Sequence, residues 1–339
     1  MKSLLKIIAI PLSWLYGCVL WVRHILYDDH ILHSMRVAVP TICVGNLAVG
    51  GTGKTPMTEY LVRLLSPMYK VAVLSRGYGR STRGFRLAGP ADTAQTIGDE
   101  PMQIHTSFPD IPVAVCGDRV EGVKQLQRLC PDVQCVILDD AYQHRRIRCG
   151  FNILLTPYDR LYVNDYLLPR GLLRDLPSQS IRANVVVVTK CPKTMQPIER
   201  RIVSNALKLA TYQQLFYSSI AYDNIAIAPK TLLVTGIANP TPLVEHVKSQ
   251  CVNVQLLTFP DHHSFIPKDI QRILDKAQYC DQILTTEKDF MRMQQTELIE
   301  QLGEKLKVIG MQTDLGTDQE AFNRAILLYV SENNRQQNK

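Results

Sequence analysis

The sequence predicts an α/β protein: a parallel sheet with helices on both faces, then a second, smaller α/β lobe, with an apolar helix ahead of both. Three observations carry this. Apolar runs at 37–44, 71–74, 112–116, 133–138, 153–156 and 185–189 each suit one buried strand, and segments of helical period, such as 119–129, lie between several of them. The alternation resumes with runs at 232–235, 254–258, 283–286 and 306–309 and helical patterns at 240–247, 267–277 and 319–329. Between the two series, residues 216–222 read as an isolated strand crossing to the second unit. The expected organisation is a hydrophobic helix at 1–34, a main lobe at 35–214, a second lobe at 215–332 and a frayed polar tail at 333–339.

A chain of 339 residues can bury two cores. Its formal net charge of +7 fits an anionic partner, but no Lys/Arg block is long enough for a nucleic-acid arm, so no nucleic acid is expected among its partners. The nine cysteines are odd in number and sit mostly in apolar runs, as Cys43 and Cys135 do. With no CxxC pair and no Cys/His zinc spacing, they read as small buried hydrophobes in a reducing compartment.

Residues 4–22 are nearly all apolar and include Trp14, Tyr16 and Trp21. No small-residue cleavage site follows, which argues against a signal peptide. The stretch is just long enough to span a bilayer; it could also lie in the membrane surface or pack on the protein's own core. Lys2, Lys6, Ser13, Gly17 and His24 share one narrow polar or small helical face. The expectation is a surface-lying helix, with Lys2 and Lys6 reaching toward lipid phosphates, the aromatics at headgroup depth and Pro11 loosening one turn.

The first strand runs into Gly45-Asn46-Leu47-Ala48-Val49-Gly50-Gly51-Thr52-Gly53-Lys54-Thr55, and a helical pattern follows. Strand, glycine-rich loop, Lys-Thr and helix is the context of a P-loop, whose backbone N–H groups and new helix N-terminus cradle phosphates. Gly50, Gly51, Thr52, Gly53, Lys54 and Thr55 are therefore the expected ATP-binding residues, with Lys54 on the β- and γ-phosphates and Thr55 on Mg²⁺. The usual first glycine falls at Ala48, and Gly50-Gly51 supplies permissive backbone nearby. The pair of glycines is also similar to the loop of partitioning-type ATPases, but Val49 stands where those carry a second lysine. The strand at 133–138 ends in Asp139-Asp140; Asp139 is expected near the Mg²⁺, although two adjacent carboxylates also suit a solvated turn. Gly98 and Pro101 mark a helix start at which Asp99 could be an N-cap or a base.

These motifs, with Leu74-Ser75-Arg76-Gly77-Tyr78-Gly79, Gly98-Asp99-Glu100-Pro101, Asp139-Asp140-Ala141-Tyr142-Gln143-His144, Leu173-Arg174-Asp175, Phe259-Pro260-Asp261-His262-His263 and Thr285-Thr286-Glu287-Lys288-Asp289, resemble the tetraacyldisaccharide 4'-kinases along nearly the whole chain. The resemblance implies transfer of the ATP γ-phosphate to the 4'-hydroxyl of an acylated glucosamine disaccharide 1-phosphate, at the cytoplasmic face of a Gram-negative inner membrane. It implies Asp99 as catalytic base, His262 as its partner, and His144 and Asp175 near the sugar headgroup. Arg119 and Arg174 are candidates for the substrate phosphate, since guanidinium grips phosphate in a fork. Glu100 is a candidate Mg²⁺ partner, and His263 a further candidate beside His262. Two departures stand out: Ala141 where the family has glycine, and Asp175 where it prefers glutamate. The rival readings are a membrane-associated switch ATPase, against which Val49 and the histidine-bearing second lobe argue, and a kinase of a soluble metabolite, which would leave the apolar helix idle.

Overall fold

The computed structural model describes residues 2–237, 239–261, 263, 265–293 and 301–337, with side chains over 9–335 of these. Helix α1 (Lys2–Asp28) precedes the main sheet. That sheet contains β1 (Thr41–Asn46), β2 (Val71–Ser75), β3 (Arg86–Leu87), β4 (Val113–Val115), β5 (Cys135–Asp139), β6 (Phe151–Pro157), β7 (Val185–Thr189) and β8 (Gln214–Tyr217), in the order β3-β4-β2-β5-β1-β6-β7-β8. All pairs are parallel except β3 with β4. Helices α2 (Lys54–Leu65), α3 (Ala94–Ile97), α4 (Asp99–Ser107), α5 (Arg119–Leu129) and α6 (Pro197–Leu207) connect them.

Central strands are apolar on both faces because each face is covered. Ile42 and Val44 of β1 pack with Met57 and Leu61 of α2, while Cys43 between them packs on the opposite side with Val123 and Leu126 of α5. This sandwich fixes the carboxyl ends of β1, β5 and β7 at one rim, where ligands bind in open α/β sheets.

The stretch at 216–222 is not one isolated strand. Phe216 and Tyr217 end β8 at the edge of the main sheet, and after Ser218 the chain enters β9 (Ser219–Tyr222). The second lobe holds β10 (Lys230–Thr235), α7 (Thr241–Gln250), β11 (Asn253–Thr258), α8 (Pro267–Ala277), β12 (Gln282–Thr286), α9 (Glu287–Met293) and β13 (Leu306–Ile309), its four strands parallel in the order β11-β10-β12-β13. Strand β14 (Met311–Asp314) then pairs antiparallel with β9 as a two-stranded ribbon between the lobes. Met-Gln-Thr-Asp carries too little apolar signal for sequence reasoning to mark it as a strand.

Helix α10 (Gln319–Gln337) returns to the first lobe. Phe322, Ile326 and Val330 enter the core beside α2, Phe322 meets Phe216 edge-on at 5.4 Å, and the Tyr329 hydroxyl bonds both the N–H and the carbonyl of Thr41 at 3.1 Å. The helix expected inside the second lobe thus completes the first, and it continues to Gln337, past the expected start of the frayed tail.

Ala9–Asp28 is, among the described residues, the helix long and apolar enough to cross a membrane by length and composition. The stripe of Ser13, Gly17 and His24 does not face outward: Ser13 and His24 are buried against the protein, and a side chain at Gly17 would press on Leu167. The outward face is apolar, with Trp14 77% and Trp21 59% exposed beside Leu12, Leu15, Val19 and Val22. The side chains of Lys2 and Lys6 fall outside those described.

Candidate active site

A cavity of about 460 Å³ opens at the rim of the main sheet and is roofed by the second lobe and the ribbon. Its floor is the loop 48–56. Gly53, with φ of +89°, turns the chain into α2 so that the helix starts at Lys54 and its N-terminal N–H groups point at the cavity. The loop's carbonyls are held by side chains of neighbouring segments. Lys190 Nζ donates to Gly51 O at 2.6 Å, Thr189 Oγ1 to Thr52 O at 2.9 Å and Arg160 Nη2 to Val49 O at 3.4 Å. Asn46 Nδ2 fixes the Thr52 hydroxyl at 2.6 Å. With these carbonyls engaged, the N–H groups of the loop are what it has left to offer a phosphate. Lys190 and Thr189 were not anticipated; their place at the carboxyl end of an apolar strand was the available signal. Lys190 has a left-handed backbone, φ +58°, and burial lowers its pKa.

Asp139 and Asp140 diverge. Asp139 is fully buried under the loop, bonded by Thr58 Oγ1 at 3.2 Å and Ser75 Oγ at 3.1 Å, and burial, then Glu100 and Asp140, push its pKa up to about 7. Asp140, with φ of +47°, lines the cavity 3.9 Å from Lys54 Nζ. Burial alone would raise its pKa, but Lys54 and Arg174 outweigh that and hold it below the ordinary range. Ala141 has no left-handed backbone, so the position does not require glycine. The crowded position is Gly45, where a Cβ would lie 2.5 Å from Tyr142 Cβ.

Asp99 and Glu100 also line the cavity. Gly98 is the N-cap of α4 and Asp99 its first residue, and no side chain caps the helix. The Asp99 carboxylate instead accepts from Arg292 of α9, Nε at 2.9 Å and Nη2 at 2.7 Å. Arg292 is held by Asp289 at 3.2 Å, and Asp289 is itself buried and bonded by Gly236 N and Thr286 Oγ1. Arg292 has no motif-level signal of its own. His262 lies outside the described residues. His263 Nε2 donates to Asp269 at 2.8 Å and the ring stacks on Phe259, tying down the start of α8.

The expected substrate residues separate. Arg174 reaches the cavity, where its guanidinium bonds Asp140 and Asn46. Arg119 is buried and donates to the carbonyls of Cys116, Gly117 and Asp140. His144 lies near Asp118 at 3.8 Å, its pKa lowered by burial and by Arg119. Asp175 is fully buried and bonds His24 of α1 at 2.5 Å. None of these last three is on the cavity wall.

A further buried group joins the lobes. Gln103 Nε2 donates to Glu59 at 2.9 Å and to Glu287 at 3.0 Å. Burial and then Glu287 push the Glu59 pKa up to about 7, while Arg63 opposes the shift.

Among the described residues no three side-chain ligands close around one point. The donor set is Thr55, Glu100 and Asp140 facing the cavity, with Asp139 behind. Burial first, and then Glu100 and Asp140, raise the Asp139 pKa, and a dication among these carboxylates would relieve the negative charge that they and a phosphate bring together.

A glycine-rich loop with its carbonyls pinned by side chains, a lysine at its end and carboxylates on the same cavity describe a P-loop phosphotransferase. The chain belongs to the tetraacyldisaccharide-1-P 4'-kinase family, whose sequence profile matches residues 5–331. It is 43% identical to the tetraacyldisaccharide 4'-kinase of Bacteroides thetaiotaomicron, covering 96% of this chain and 93% of that one, and 43% identical to that of Flavobacterium johnsoniae, covering 98% and 99%. It is also similar to the crystal structure of LpxK from Aquifex aeolicus in complex with ATP, with a TM-score of 0.76, 25% identity and coverage of 96% and 99%.

Proposed function

We propose that this chain transfers the γ-phosphate of ATP to the 4'-hydroxyl of a tetraacyldisaccharide 1-phosphate, giving lipid IVA in lipid A biosynthesis. The observation that carries this reading is the phosphate loop sharing one cavity with Asp99, in a chain similar over nearly its full length to relatives named for that activity.

In this reading the loop N–H groups and Lys54 hold the β- and γ-phosphates. Asp99, oriented by Arg292, takes the proton of the 4'-hydroxyl as that oxygen bonds to the γ-phosphorus; the bond from phosphorus to the bridging oxygen breaks, and ADP leaves with the electron pair. Thr55, Glu100 and Asp140 would hold Mg²⁺, with Asp139 behind them, and the ion supplies charge neutralisation on the phosphates. Arg174 supplies a cation for the anionic headgroup once it leaves Asp140. His262 is proposed to partner Asp99, on the resemblance alone. The main lobe and the second lobe together form the kinase, and the outer face of α1 seats in the cytoplasmic surface of a Gram-negative inner membrane, where the acylated substrate resides.

The test is transfer from γ-labelled ATP, with Mg²⁺, to the acylated disaccharide 1-phosphate in detergent micelles. Labelled lipid from wild type, lost on Asp99→Ala and on chelation of Mg²⁺, is expected. ATP hydrolysis with no lipid product would overturn the reading.

A further inference from the structure

Helix α1 has two faces with different tasks. The outer one is apolar and unpartnered within the chain. The inner one is bonded along its length to the two loops that adjoin the cavity. Ser13 Oγ donates to Leu167 O at 2.9 Å and accepts from Arg170 N at 3.0 Å. Tyr16 donates to the carbonyl of Arg174 at 2.9 Å. Arg145 Nη1 lies 3.0 Å from His24 Nδ1, and a guanidinium can only donate. Nδ1 is therefore the acceptor, and the proton sits on Nε2, which donates to Asp175 Oδ1 at 2.5 Å.

Both His24 and Asp175 are buried, so this bond is shielded from water. The backbone of Arg174 and Asp175 is thus held by α1 while the Arg174 guanidinium points the other way, to Asp140 and Asn46 beside the phosphate loop. Adjacent residues connect the helix to the nucleotide site.

We infer that His24 is a positioning residue for phosphoryl transfer: through Asp175 it fixes the 165–176 loop that presents Arg174 to the cavity, so α1 is part of the catalytic scaffold as well as the membrane-facing surface. This inference rests on the proposed transfer reaction and on the proposed seating of the outer face, and the experiment separates them. Full-length wild type, His24→Leu and His24→Gln are compared for kcat in mixed micelles at saturating ATP and lipid, and for sedimentation with phosphatidylethanolamine–phosphatidylglycerol vesicles. Losing a buried hydrogen bond to a carboxylate should lower kcat of His24→Leu by about tenfold or more, with vesicle partition unchanged. The glutamine amide can still donate to Asp175, so His24→Gln should recover most of the rate. Tyr16→Phe removes only a hydroxyl and should move kcat the same way by less, which keeps the test decisive if His24→Leu does not fold. A kcat for both His24→Leu and Tyr16→Phe within about twofold of wild type, a size below that of one buried hydrogen bond, would overturn the inference. So would equal damage in His24→Gln and His24→Leu, or a loss of rate matched by a loss of partition. If wild type itself transfers phosphate but ignores vesicles, the seating of the outer face fails while the kcat comparison still decides the inner one. If wild type makes no phospholipid product, the transfer reaction fails, and with it the positioning role.

Discussion

Arg292 of α9 grips Asp99 of α4 through two hydrogen bonds to the same oxygen, Oδ2. The two residues stand on different lobes, so the carboxylate at the start of α4 is oriented by a side chain that arrives 193 residues later.

A guanidinium fixes a carboxylate in direction with both of its donors, and a lysine offers only one point of charge. Arg292→Leu should lower kcat by part of the roughly 100–10,000-fold that a positioned acid–base group contributes, with Arg292→Lys between it and wild type. Steady-state kinetics at saturating ATP and lipid would show this. An unchanged kcat in Arg292→Leu would remove Arg292 from the site.

Lys190 holds one loop carbonyl and makes the N–H groups of that loop available. Its replacement by methionine should raise KM for ATP and weaken inhibition by ADP by similar factors, about tenfold for one charge-assisted hydrogen bond, with KM for lipid unchanged. Thr189→Val should act likewise and less. A much larger loss for ATP than for ADP would mean that Lys190 grips the γ-phosphate itself.

The buried pair Glu59 and Glu287, bridged by Gln103, gives a pH dependence with a definite sign. In the folded protein burial and Glu287 push the Glu59 pKa from its ordinary 4.5 up to about 7, so between these values the folded state binds more protons than the unfolded one. Stability from this group is complete below pH 4.5 and is lost as pH rises through about 7. Asp139 adds to the same slope. Thermal unfolding at pH 5 and pH 8 should show wild type losing Tm toward alkaline pH and Glu59→Gln losing less. Equal slopes would place the ionised Glu59 in a better-solvated setting.

Gly45→Ala places a methyl 2.5 Å from Tyr142 Cβ, inside the junction of β1 with the segment after Asp140. Overpacking of this kind costs about 1–3 kcal/mol, and denaturant unfolding should register it. A change near zero would show that the Tyr142 backbone gives way.

The phosphate loop was legible in the sequence because its residues are contiguous: one strand, one run of glycines and one helix start carry the whole signal. The helix start at Asp99 was legible as well, but the local pattern left N-cap and base both open there, and the resemblance alone pointed to the base. The partners of these groups were not legible. Lys190 meets Gly51 across 139 residues and His24 meets Asp175 across 151, and no local pattern encodes either contact. The stripe of Ser13, Gly17 and His24 was visible as a face, yet periodicity does not tell whether a narrow polar face meets water or protein; the bond to Asp175 decides it. Strand β14 escaped notice because four mixed residues form a strand only when β9 supplies the other half of the ribbon.

That ribbon has a consequence for modularity. Tyr222 is paired directly with Met311, so the chain leaves the first lobe and re-enters it at neighbouring points, and α10 then seals the first lobe's core. The second lobe is an insert within an otherwise complete module, and a short turn could replace it. The shortened protein would retain the phosphate loop and helix α1 and would lack the guanidinium that grips Asp99. It should bind nucleotide and leave lipid unmodified, which would assign capture of ATP and its use to separable pieces of one gene.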